Sequence, residues 1–145
     1  MTCRTKVFSN FIIILAVLHS IDGFTIEQVK KTANMVKDIC IRKTAVDPEK
    51  VEQATNGNIP EDDNFKCFTK CLLEMLQAIR GDQYNSDGLI RMIKVLLPTD
   101  LGTRAITAIQ QCNNAGDGLE NICEVTYSIV VCFYKTDPEF LSLIL

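Results

Sequence analysis

From Thr25 to Tyr134, apolar side chains return every three or four positions in segment after segment, and no run with the two-residue period of a strand competes with them. An all-α fold of six helices follows. The first starts at Thr25, where Thr25 and Gln28 fit a capping box, and sets Ile26, Val29, Ala33 and Val36 on one face on the way to Cys40. Asp47 then Pro48 is a cap followed by a first-turn proline, which opens a short second helix ending near Gly57. After Pro60, the acidic cluster Glu61, Asp62 and Asp63 suits the positive end of a third helix. Its inner stripe is Phe65, Phe68, Leu72, Met75, Leu76 and Ile79, and Gly81 stops it. Ser86 opens a fourth, from Leu89 to Leu97 and halted by Pro98; Thr99 caps a fifth that runs through Leu101, Ile106 and Ile109 to Cys112. Asp117 and Glu120 have capping-box spacing and start a sixth, which Thr136, Asp137 and Pro138 break. Apolar residues wrap all the way round this last helix, so it is expected to be the central element, buried on every side.

The first residues follow a different pattern. Arg4 and Lys6 precede an apolar run from Phe11 through Leu18, followed by His19, Ser20 and Gly23. This is the pattern of a signal peptide, and the run is too short for the roughly 20 residues that span a bilayer. Cleavage is expected after Gly23, with Ser20 the alternative, giving a signal peptide over 1–23 and one helical domain over 24–145. No repeat, low-complexity tract or Pro/Gly-rich linker divides that domain.

Charge and composition narrow the function. Residues 24–145 hold 13 basic and 17 acidic side chains, a net charge of −4 with no Lys/Arg cluster, which argues against nucleic acid as a partner. His19, the single histidine, lies in the leader, so the exported domain has no imidazole for acid/base work or zinc ligation. No metal and no cofactor are expected, and catalysis is not. Glu74, Asp82 and Asp87 read as solvated helix-face and loop carboxylates. Asp82 to Gly88 superficially suggests a calcium loop, but Tyr84 occupies a ligand position and the downstream Glu is missing.

Beyond Cys3, six cysteines remain: Cys40, Cys67, Cys71, Cys112, Cys123 and Cys132, separated by gaps of 26, 3, 40, 10 and 8 residues. In a short exported chain, an even set reads as three disulfides. Geometry prunes the pairings. Cys67 and Cys71, one turn apart on a helix, have Cβ atoms about 5–6 Å apart, beyond the roughly 3.5–4.5 Å of a disulfide. Cys123 and Cys132 stand roughly 13 Å apart along one helix axis. Of about fifteen pairings, ten survive.

The cysteine order, with three residues between the second and third and eight between the fifth and sixth, resembles the insect odorant-binding proteins over the whole exported domain. That resemblance implies the bridges Cys40 to Cys71, Cys67 to Cys123 and Cys112 to Cys132. It also implies a disulfide-stapled six-helix bundle enclosing a hydrophobic cavity. The implied role is carriage of small hydrophobic odorants or pheromones through sensillum lymph to olfactory receptors, as a monomer or weak homodimer. The alternative on the same scaffold is a secreted salivary or venom protein that sequesters a small mediator or binds a protein partner.

In this fold the cavity is expected between the third to sixth helices. Helical phase nominates Phe68, Leu72, Met75, Leu76 and Ile79 from the third, and Leu89, Ile93 and Leu97 from the fourth. Ile106 and Ile109 come from the fifth, and Tyr127, Val130, Val131 and Tyr134 from the sixth, with the two tyrosines as candidate hydrogen-bond donors. The tail carries Phe140, Leu141, Leu143, Ile144 and Leu145, and is expected to fold back as a lid rather than fray or pack on a second subunit. Without a histidine, any acid-triggered release would need a carboxylate with a raised pKa, such as Asp137 or Glu139, or the terminal carboxylate.

Overall fold

The computed structural model describes residues 24–140. The expected signal peptide and the tail beyond Phe140 lie outside them. Helix α1 spans Ile26–Thr44, α2 Pro48–Thr55 and α3 Asp63–Met75; α4 spans Ser86–Leu96, α5 Thr99–Gln111 and α6 Ile122–Thr136. Between α3 and α4 sits a small antiparallel hairpin of β1, Ile79–Arg80, and β2, Gln83–Tyr84. The fold is the all-α bundle that the periodicity predicts.

Local chemistry sets the element ends. The Thr25 hydroxyl accepts from the Gln28 amide at 3.3 Å while Gln28 Oε1 accepts from the Thr25 amide at 2.8 Å, completing the capping box. Asp47 and Asp62 cap α2 and α3 through their carboxylates. Two starts differ from expectation. The N-cap of α5 is Pro98 rather than Thr99 and makes no side-chain cap bond. That of α6 is Asn121, whose side-chain oxygen takes the Cys123 amide at 2.9 Å. Asp117 is left in a run of turns before it.

The end of α3 is the larger departure. The helix stops at Met75, six residues before Gly81, because Gln77 takes a left-handed φ of 59°. The Ala78 amide then bonds the Leu73 carbonyl at 2.8 Å and the Gln77 amide bonds that of Glu74 at 3.0 Å, the pair of bonds that closes a Schellman cap. Ile79 therefore stands in β1 rather than on the helix. Gly81, with φ of 60°, instead turns the hairpin.

Two apolar clusters form the interior. One gathers Cys40, Val46, Val51, Ala54, Phe65, Phe68 and Cys71 where α1, α2 and α3 meet. The other gathers Leu73, Ala78, Leu89, Ile93, Leu97, Ala105, Ile109 and Phe140 between the end of α3, α4, α5 and the last described residues. Disulfides tie the frame: Cys40–Cys71 joins α1 to α3, Cys67–Cys123 joins α3 to α6, and Cys112–Cys132 joins the end of α5 to α6. Beside the second bridge, the buried hydroxyls of Thr69 and Thr126 meet at 3.1 Å across the α3–α6 contact.

Helix α6 is not buried on every side. Only Thr126 and Ile129 are fully buried, and the rest of its apolar residues are half-buried. Its two faces border two different spaces, an internal cavity and an outer groove, so neither face is sealed by solid packing.

Candidate functional site

An apolar cavity of about 170 Å³ lies among α1, α3, α4, α5, α6 and Phe140. Helical spacing supplies each wall. On α1, Val29, Ala33 and Val36 fall at the i, i+4, i+7 positions of one face. Leu72, Leu73 and Leu76 close it from α3, and Leu89, Ile93, Leu96 and Leu97 from the α4 side. Ile109 of α5, Ile129, Val130 and Phe133 of α6, and the rings of Phe24 and Phe140 complete it. Phe140 is 2% exposed and its ring centroid lies 5.5 Å from that of Phe133.

Of the residues nominated from sequence, Leu72, Leu76, Leu89, Ile93, Leu97, Ile109, Val130 and Phe140 stand in this wall. The others do not. Phe68 packs in the first cluster, with its ring 5.7 Å from Phe65. Ile79 and Ile106 pack against the second cluster without lining the cavity. Met75, at the last turn of α3, is 43% exposed. Tyr127, Val131 and Tyr134 of α6 do not line the cavity. Tyr127 sets its ring edge-on to Phe65 and lies under Lys66 Nζ at 5.7 Å; with Val131 it borders the outer groove, beside Glu61, Ser128 and Lys135. The Tyr134 hydroxyl packs against Gly57, where a Cβ would come within 2.2 Å of it.

The reason is the absence of phase. Because α6 is apolar all round, its pattern does not distinguish Ile129, Val130 and Phe133 from Tyr127, Val131 and Tyr134. The α1 wall had a signal: Val29, Ala33 and Val36 form a stripe, yet Cys40 alone of α1 is fully buried, so the stripe faces a space rather than a solid core.

Polar groups at the cavity are few. Thr32 is exposed, and its hydroxyl donates to the Gln28 carbonyl at 2.9 Å; Lys37 is half-exposed on the same helix. Tyr84, in β2, carries a buried hydroxyl with no hydrogen-bond partner among the described residues. Burial pushes its pKa up to about 12, so it is a neutral donor at any physiological pH. Sequence offered no periodic signal for Tyr84, which lies in a two-residue strand.

Phe140 is held by a charged clasp. Arg104 of α5 donates through Nε and Nη2 to the two carboxylate oxygens of Asp137, and through Nη2 to Glu139 at 2.9 Å. Asp137 Oδ1 also accepts the Phe140 amide at 3.1 Å. The Arg104 guanidinium thus holds the Asp137 carboxyl below its ordinary value of 3.8, against the upward push of burial. This reverses the raised pKa that acid-triggered release through Asp137 requires. A carboxylate depressed in the folded state contributes stability that is present above its unfolded pKa and lost as pH falls through its folded one. The clasp should therefore persist down to about pH 4 and open only below it. The amide proton shift of Phe140, followed by NMR during acidification, checks this; a transition between pH about 5 and 6 would contradict it.

Among the described residues, no group of three or more His, Cys, Asp or Glu side chains could hold a metal ion, and no helix is long and apolar enough to cross a membrane. All six cysteines there are bonded to one another.

Residues 23–136 match the family model described as the PBP/GOBP family. General odorant-binding protein 72 of Anopheles gambiae is 28% identical over 118 residues, 81% of this chain and 98% of that protein. Among solved structures, odorant binding protein 5 of Apis mellifera superposes with a TM-score of 0.73 at 25% identity, covering 81% of this chain and 95% of that one. Odorant binding protein 4 of Chrysopa pallens gives 0.72 at 26% identity, covering 81% and 96%.

Proposed function

Because this chain belongs to the PBP/GOBP family, whose members are small-ligand carriers rather than enzymes, we propose that it binds and solubilises small hydrophobic molecules in its internal cavity. Odorants or pheromones are the cargo, carried through extracellular fluid after removal of residues 1–23 and delivered to olfactory receptors by a monomer or weak homodimer. The observation that carries this reading is the cavity itself, a space of about 170 Å³ walled almost wholly by carbon and framed by three disulfides.

An engineered apolar cavity of about 150 Å³ stays dry and takes benzene. The space here is of the same order, which favours compact ligands of roughly ten carbons over long extended chains. At about 0.8 kcal/mol per buried CH2, ten carbons contribute roughly 8 kcal/mol before the cost of association, within the per-atom ceiling for small ligands. Displacement of a fluorescent naphthylamine probe from the oxidised protein by a panel of alcohols, aldehydes, esters and terpenoids tests the reading. Saturable, micromolar displacement that favours compact ligands is expected. A correctly bonded protein that binds no probe would refute it and favour the protein-interaction alternative.

A further inference from the structure

We propose that the Tyr84 hydroxyl selects the ligand's chemistry, donating a hydrogen bond to an acceptor oxygen and so favouring oxygenated molecules over hydrocarbons of the same shape. This rests on the carrier reading and specifies the ligand class of that same cavity. Tyr84 lines the cavity, and its hydroxyl is buried without a partner among the described residues. A buried hydroxyl ordinarily finds a partner. Of the other polar side chains in the wall, Thr32 is exposed with its proton committed to Gln28, and Lys37 is half-exposed on α1.

The backbone that carries the ring is anchored on both sides. Tyr84 pairs with Ile79 across the hairpin, and the Asn85 amide bonds the Ala78 carbonyl at 2.7 Å, anchoring β2 to the Schellman corner that ends α3. Asn85 then caps α4, its side chain accepting the Gly88 amide at 3.1 Å. A donor held on both sides by such a frame loses little freedom when a ligand engages it, so the bond contributes nearly its whole strength to selectivity. An acceptor oxygen in an otherwise apolar molecule matches the site: aldehydes, ketones, esters and ethers qualify, and alkanes or unoxidised terpenes do not.

Carvone and limonene share a ten-carbon skeleton and differ chiefly in one carbonyl. Their affinities for the full oxidised protein and for Tyr84→Phe, measured by displacement of the naphthylamine probe, separate the possibilities. In the wild type, carvone is expected to bind roughly tenfold tighter than limonene, and Tyr84→Phe should erase that ratio. An identical ratio in the two proteins would overturn the role of Tyr84 and leave the carrier reading standing. Failure of the wild type to bind either compound or the probe would overturn the carrier reading itself. A second measurement needs no variant. The carbonyl stretch of carvone bound to the wild type should lie to the red of its position in alkane solvent, and a stretch at the alkane position would refute the hydrogen bond.

Discussion

Gly88→Ala should cost about 3 kcal/mol of stability, the upper end of overpacking effects, and should deform the cavity with it. A Cβ on Gly88 would stand 2.1 Å from the Gln77 carbonyl oxygen. That oxygen cannot swing away as a side-chain tip could. Gln77 is the left-handed residue of the Schellman corner, with its own amide and that of Ala78 bonded back into α3. Relief must come from α4 moving off the corner, and α4 carries Leu89, Ile93 and Leu96 of the cavity wall. Gly102→Ala on the neighbouring α5 is the matched control. There the nearest atoms to a new Cβ lie 3.9 Å away, an ordinary contact, so the helix gains up to about 1 kcal/mol from replacing glycine. Chemical denaturation should show shifts of opposite sign, and probe binding should fall only in the first variant. Equal stability of the two variants would mean that the corner is soft.

Removing the Cys67–Cys123 bridge by a double alanine substitution should lower stability by about 4 kcal/mol, more than removal of either other bridge. A disulfide acts chiefly on the unfolded chain, and the entropy it removes grows with the loop it closes. The bridged cysteines are separated by 56 positions here, against 31 for Cys40–Cys71 and 20 for Cys112–Cys132. The chain-entropy relation then gives losses of about 4.2, 3.7 and 3.3 kcal/mol in that order. The bridge also pins the first turn of α6, which contributes Ile129, Val130 and Phe133 to the cavity. Ligand affinity should therefore fall along with stability. Three double variants compared by urea unfolding test the ranking, and a smallest loss at Cys67–Cys123 would reject loop closure as its basis.

Much of this architecture was legible because its causes are local. Helix starts at Thr25, Asp47 and the Asp62 cluster follow from side chains that satisfy amides two or three residues ahead, and such chemistry can be read along the chain. The ends were less legible. The stop of α3 depends on Gln77 adopting a left-handed φ, and glutamine carries no special preference for that conformation. Gly88 permits the corner from eleven positions downstream by lacking a Cβ that would strike Gln77.

The cavity divides along the same line. The stripes of α3 and α4 named Leu72, Leu76, Leu89, Ile93 and Leu97, since an amphipathic helix has one face to bury. On α6, Val130 lines the cavity while Tyr127, Val131 and Tyr134, nominated with it, do not, since a helix apolar all round carries no phase. Sequence by itself determined an all-α, six-cysteine frame of the odorant-binding kind without histidine chemistry in its helical domain, because periodicity, caps and residue inventory are properties of the chain. Which residues of α6 meet the cavity, that α1 helps to enclose it, and that Tyr84 lines it were decided only by tertiary structure. Those features depend on rotation and packing between elements remote in sequence, to which local pattern is blind.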